Sequence, residues 1–156
     1  SSDVCSSDLD EWQREYGELA GRFVQELGLP LAVMNGNDES IATVESRLRS
    51  HVQAAADSWV DASSEQASLR LVLGLSFYLI DILLRRTDGL LRQSKFGDLH
   101  VAYSYDTQGR IAARPLSIFA VDTARGYLAS MALAEPTDMA KLIRTFSRRR
   151  SRRNRL

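Results

Sequence analysis

The stretch LRLVLGLSFYLIDILL, Leu69 to Leu84, constrains the fold more than any other part of this chain. It spans 16 residues, is apolar nearly all round, and is interrupted by Arg70 and Asp81. A bilayer crossing needs about 20 residues with few or no charges, so this is read as a buried helix of a globular core. A helix without a polar side must be covered from several directions, which makes it the expected centre of the fold. Ser63 or Ser64 can cap its start. It is expected to run to about Arg86 and to close at TDG, with Gly89 able to take the left-handed conformation.

Two amphipathic helices precede it. From Asp10 to Leu27, Trp12, Tyr16, Leu19, Ala20, Phe23, Val24 and Leu27 recur at helical spacing, and Gly28 and Pro30 stop the run. NGNDES, Asn35 to Ser40, combines turn chemistry with a capping residue. It opens a helix whose Ile41, Val44, Leu48, Val52 and Ala55 share one face and which ends near Ala56. DSWVDASSEQ then reads as a loop, with Trp59 as a core anchor because large aromatics seldom stay exposed.

After Gly89 the period changes from helical to alternating. In LHVAYSY, Leu99 to Tyr105, the residues Leu99, Val101, Tyr103 and Tyr105 fall on one face, with His100, Ala102 and Ser104 on the other. DTQG is a hairpin turn, RIAAR the partner strand, and LLRQS a third strand. RPLSIFAVDTARG fits two readings. Pro115 suits the first turn of a helix ending before Gly126, the favoured reading, while Leu116 to Val121 can also extend the strand. Thr137 is expected to cap a last helix striped by Met139, Leu142, Ile143 and Phe146. The expected architecture is α+β, with four to five helices around the apolar central helix, packed on a short antiparallel hairpin or three-stranded sheet.

Composition bounds what such a domain can do. With 44% hydrophobic and 26% charged residues in a chain of 156, one globular domain is expected. The net charge of zero conceals an asymmetry: Arg148 to Leu156 holds six arginines, leaving 14 basic against 20 acidic residues before it. An acidic body repels nucleic acid and anionic bilayers, so contact with either falls to the tail. Cys5 is the single cysteine, which excludes an internal disulfide and a cysteine-based zinc site. That usage and the lack of a secretory signal make a cytoplasmic location the expectation. SSDVCSSDL resembles a translated sequencing adapter, so residues 1–9 are read as non-native, 10–147 as the α+β domain and 148–156 as a basic disordered tail.

Chemistry-bearing constellations are sparse. The phosphate-cradling G-x-G-x-x-G and G-x-x-x-x-G-K-[ST] loops do not occur, nor do the G-x-S-x-G elbow and the H-E-x-x-H pair. His51 and His100 are the only histidines, and neither has a carboxylate at metal-ligand spacing. No cofactor is expected, and the chain is read as a non-enzyme. Asp81 has Arg85 four residues on, the spacing of a helical ion pair. Asp81, His100, Tyr103 and Tyr105 are the candidate pocket residues, although Tyr103 and Tyr105, with Phe77 and Tyr78, read first as core. Arg148, Arg149, Arg150, Arg152, Arg153 and Arg155 form a candidate anion-binding group. If all engage phosphates, affinity should fall with salt at a slope of about −4 to −5; the alternative is a solvated end that favours the dipole of the helix before it.

The order from Leu69 onward, an apolar helix ending in RTDG, a hairpin carrying YDTQGR, then RPLSIFAV and an amphipathic helix, resembles small bacterial and actinobacterial domains of unknown function. In outline it is also similar to some immunity proteins of bacterial toxin systems. That resemblance implies a bacterial protein-interaction module, possessing no catalytic residues to carry over. The other reading from the sequence is a nucleic-acid accessory protein acting through the arginine tail.

Overall fold

The structure, a computed structural model, describes residues 6–55, 62–105 and 111–154. Among these it holds five α-helices, α1 (Ser6–Glu26), α2 (Asp38–Ala55), α3 (Ala62–Arg86), α4 (Ala120–Ala132) and α5 (Met139–Asn154). Strands β1 (Leu90–Gln93), β2 (Leu99–Tyr105) and β3 (Ile111–Phe119) form one antiparallel sheet in that order, so the chain is α+β. Trp59, Cys5 and the turn expected at DTQG lie outside the described residues.

Helix α3 occupies the centre the apolar run demands. It packs against α1, α4, α5 and the first two strands. Leu75, Tyr78, Leu79, Ile80, Ile82 and Leu83 are buried on successive sides of it. Covering is incomplete toward its N-terminal half, where Leu69 and Leu73 stay exposed. Close approach of α1 depends on Gly74, since a Cβ there would run into the ring of Phe23.

Helix α1 ends as its sequence dictates. Gly28 adopts a φ of 81°, Leu29 N–H bonds the Val24 carbonyl at 3.1 Å and Gly28 N–H bonds that of Gln25 at 2.9 Å. These are the two bonds of a Schellman ending, and Leu29 is buried beside it. A short 3-10 helix, Leu31–Asn35, follows, and Asn37 Oδ1 then accepts the Ser40 N–H at 2.8 Å as the cap of α2. Ile41, Val44, Leu48 and Val52 are the buried stripe of α2, as their spacing predicts.

Sheet register decides the segment that the sequence left between two readings. Val101 pairs with Ile118 and Tyr103 with Leu116, so RPLSIF is strand and α4 begins only at Ala120, running through Gly126 to Ala132. The favoured helix from Pro115 is therefore corrected. Pro115 removes a ladder donor, which an edge strand tolerates, and β3 is an edge in this sheet. Leu91, Val101 and Ile118 form one buried row against the helices.

Two further expectations are revised. Gly89 is absent from the positive-φ residues; instead it is buried, and a Cβ on it would stand 2.8 Å from Tyr103 Cζ and collide with Val101 Cγ1. Its role is close packing under the sheet. The cap of α5 is Asp138, whose Oδ1 accepts the Lys141 N–H at 3.0 Å, while Thr137 accepts a bond from Arg49 Nη2 at 2.8 Å. Glu45 on α2 takes the Met139 N–H at 2.9 Å, so α2 side chains hold the start of α5.

The end of α4 contains a residue under strain. Ala134 has a φ of 57°, and Glu135 N–H bonds the Ser130 carbonyl at 2.8 Å, the same ending that α1 makes with glycine. A side chain in the left-handed region costs about 1 kcal/mol. Ala134→Gly is therefore expected to stabilise the protein by about 0.5–1 kcal/mol, read as a higher urea midpoint at unchanged slope; a lower midpoint would show that Ala134 carries no such strain.

Candidate functional site

Asp81 is the buried charge of the central helix, 5% exposed. The ion pair its spacing predicts is formed: Arg85 Nε donates to Asp81 Oδ1 at 3.2 Å and lies 3.1 Å from Oδ2, which has no hydrogen bond of its own among the described residues. Burial raises the Asp81 pKa above the usual carboxylate range, and the Arg85 charge opposes that without cancelling it. Arg85 is held a second time, its Nη1 donating to the Met34 carbonyl at 3.2 Å. Both contacts fix the guanidinium plane, while the side chain as a whole stays 51% exposed.

This pair lines a cleft of about 890 Å³ between α1 and the C-terminal half of α3. Arg14, Glu18, Arg22 and Gln25 line it from α1, Leu84 from α3 and Leu31 from the 3-10 helix. Gly17 and Gly21, four apart on α1, open it: a Cβ at Gly17 would lie 3.3 Å from Asp81 Oδ1 and 3.9 Å from Arg85 Nη2, and one at Gly21 would lie 3.2 Å from Leu31 Cδ2. Sequence reasoning found Asp81 and Arg85 and missed the α1 wall. The available signal was the pair of glycines at helical spacing within an otherwise amphipathic helix.

The aromatic candidates divide. Tyr103 is buried, stacked on Phe146 of α5 with centroids 4.4 Å apart, and its hydroxyl shares a 2.7 Å hydrogen bond with Thr87 Oγ1. It is a core residue joining α3, β2 and α5, and it lies outside the cleft of Asp81. The Tyr105 side chain lies outside what the structure describes. Phe77 stacks on Tyr16 at 5.4 Å, again as packing between α3 and α1. Tyr78 is fully buried and its hydroxyl has no hydrogen-bond partner among the described residues. An unpaired buried hydroxyl costs about 1–3 kcal/mol. Tyr78→Phe is accordingly expected to raise stability by about 1 kcal/mol in thermal unfolding, and a loss of more than about 1 kcal/mol would mean that the hydroxyl is bonded after all.

His100 sits on the opposite face of the sheet from Tyr103. The cross-strand rows Leu90, Ala102, Ser117 and Arg92, His100, Phe119 make up this outer face. His100 is half-buried, stacked on Phe119 at 4.8 Å, with Nδ1 buried and without a hydrogen bond among the described residues. Leu90 and Phe119 stand 49% and 38% exposed on the same face. At the β1–β2 turn Phe96 is 82% exposed, with Lys95 Nζ 5.1 Å from its ring centroid. His51 is exposed on α2, and the two histidines belong to different elements of the fold.

The arginine group is placed on helical backbone. Helix α5 continues through Asn154, so Arg148, Arg149, Arg150, Arg152 and Arg153 stand on its last turns. Their side chains, and Arg155, lie outside what is described. Arg144, one turn earlier, pairs with Asp38 at 2.9 Å, and Arg86 of α3 reaches the same carboxylate at 3.0 Å. These two hydrogen bonds hold the Asp38 pKa below the usual range. Among the described residues no group of three His, Cys, Asp or Glu is arranged to hold a metal, and no helix is long and apolar enough to cross a membrane. Comparison with known proteins returns no match among family models, curated proteins or solved structures.

Proposed function

We propose that the chain is a non-enzymatic protein-interaction module of a bacterial cell, of the immunity-like kind its outline resembles, and that the outer face of its sheet is the contact surface. The observation that supports this most is the exposure of two large apolar side chains, Leu90 and Phe119, on one face of a sheet whose other face forms the core. Aromatic and arginine side chains are favoured anchors at protein interfaces, and Phe119 and Arg92 share one cross-strand row. The partner that fits presents an apolar pocket rimmed by acid to meet Arg92 and Lys95.

The test compares the tagged wild-type chain with Leu90→Lys/Phe119→Lys, each purified from its native host. One protein retained by the wild type and reduced at least tenfold by the double variant supports the reading, provided both chains melt within about 2 °C of each other. Equal retention by the two would remove the sheet face from consideration.

A second reading is favoured by the arginines on the α5 backbone: sequence-blind nucleic-acid binding. Fluorescence anisotropy of labelled duplex with the whole chain, and with the chain stopped at Ser147, tests it between about 50 and 200 mM salt. With five helical arginines engaged, a slope of about −4.5 in log K against log salt is expected. The chain stopped at Ser147 keeps the buried Met139, Ala140, Ile143 and Phe146, so loss of binding is assignable to the arginines; binding that survives would exclude them.

A further inference from the structure

We infer that the cleft between α1 and α3 is a binding site for a small organic anion, a carboxylate with an apolar body, whose acid group is taken by Arg85. Three features of the cleft converge on that ligand. First, Arg85 is oriented before any ligand arrives. Its Nε is bonded to the buried Asp81 and its Nη1 to the Met34 carbonyl, and these leave Nη2 without a hydrogen bond among the described residues, 3.9 Å from where a Gly17 Cβ would stand. A guanidinium pinned on two of its nitrogens meets an incoming carboxylate with its remaining donors at little further ordering cost, and carboxylate is the group its geometry matches. Asp81 acts through Arg85, as a positioning residue.

Second, Arg14 and Arg22 line the same cleft from α1, both exposed and without an ion-pair partner among the described residues. Against these three guanidinium groups stand Glu18 and Asp81, so the lining is net positive on an otherwise acidic body. Third, the remaining lining includes Leu31 and Leu84, which offer an apolar surface next to the cationic one. A volume of about 890 Å³ lies in the range of small-molecule sites. Gly17 and Gly21 keep the space open where a side chain would narrow it.

The experiment is a titration of the isotopically labelled full chain with octanoate, acetate, inorganic phosphate and octylamine, followed by amide chemical shifts. Saturable shifts with octanoate, centred on residues 14–31 and 81–85 and at least tenfold tighter than with acetate or phosphate, are the expected result. Octylamine should not produce them. Arg22→Gln, on an exposed position, should weaken octanoate about threefold to tenfold, and Arg85→Gln by more than tenfold. Asp81→Asn should weaken it with no change in the residues shifted, the mark of a group that acts through Arg85. No saturable shift up to about 10 mM octanoate, equal binding of octylamine, equal binding of phosphate, or unchanged affinity in Arg22→Gln would each overturn the proposal. The Arg22 variant keeps the test decisive if Arg85→Gln fails to fold.

Discussion

Leu79→Ala is expected to destabilise the protein by about 3.5 kcal/mol, a fall in melting temperature of roughly 10 °C, while Leu73→Ala on the same helix costs less than about 1 kcal/mol. The two leucines differ in where α3 turns them. Leu79 is fully buried, whereas Leu73 is 41% exposed toward the less covered end. Truncating Leu79 removes apolar area and leaves a cavity that neighbours on several elements cannot all collapse into, and truncating Leu73 does neither. Equal losses in urea unfolding would contradict the placement of α3 at the centre.

The second large effect concerns a residue with no side chain. Gly89→Ala is expected to cost about 2.5 kcal/mol, although alanine ordinarily gains by restricting the unfolded chain. Its methyl would meet Val101 and Tyr103, and neither can retreat: Val101 is fully buried on the central strand, and Tyr103 is held by Phe146 and Thr87. A neutral result, measured with unchanged denaturant slope, would mean that the α3–β1 connection can move away from the sheet. A left-handed turn glycine would give a comparable loss, so the backbone at this position needs a separate check: replacement by D-alanine rescues a turn glycine and leaves a packing glycine destabilised.

These two residues also mark where the sequence was legible and where it was not. The centrality of α3 follows from composition alone, because a 16-residue apolar run admits few other positions in a globular fold. The alternation in LHVAYSY likewise assigned Val101 and Tyr103 to the core face and His100 to the other. Gly89 was misread because TDG carries a local turn signal, and the atoms that demand a glycine come from a strand further along the chain. The boundary at Phe119 was misread for a related reason: Leu116 to Val121 satisfies both periods, and only pairing of Leu116 and Ile118 with β2 decides between them. Thr137 lost the capping role to its neighbour Asp138 once Arg49 claimed its hydroxyl.

Legibility of the candidate sites follows the same division. The Asp81–Arg85 pair is local and was visible at spacing four, but the wall that turns it into a cleft is supplied by a helix some 60 residues earlier. The outer sheet face needs the register of three strands before Leu90, Arg92, His100 and Phe119 can be seen as one surface. Charge asymmetry was read correctly from the sequence, yet the backbone of the arginine group belongs to α5.

Site-specific photo-crosslinking in the native host reads out the contact surface of the sheet. Benzoylphenylalanine placed at position 119 on the outer sheet face, and at the exposed Lys141 on α5 as a control, reports what each surface touches. One discrete protein adduct is expected from position 119, suppressed when Leu90→Lys is added, and none from position 141. Adducts from position 141 alone, or none from position 119 at full expression of a folded chain, would contradict it.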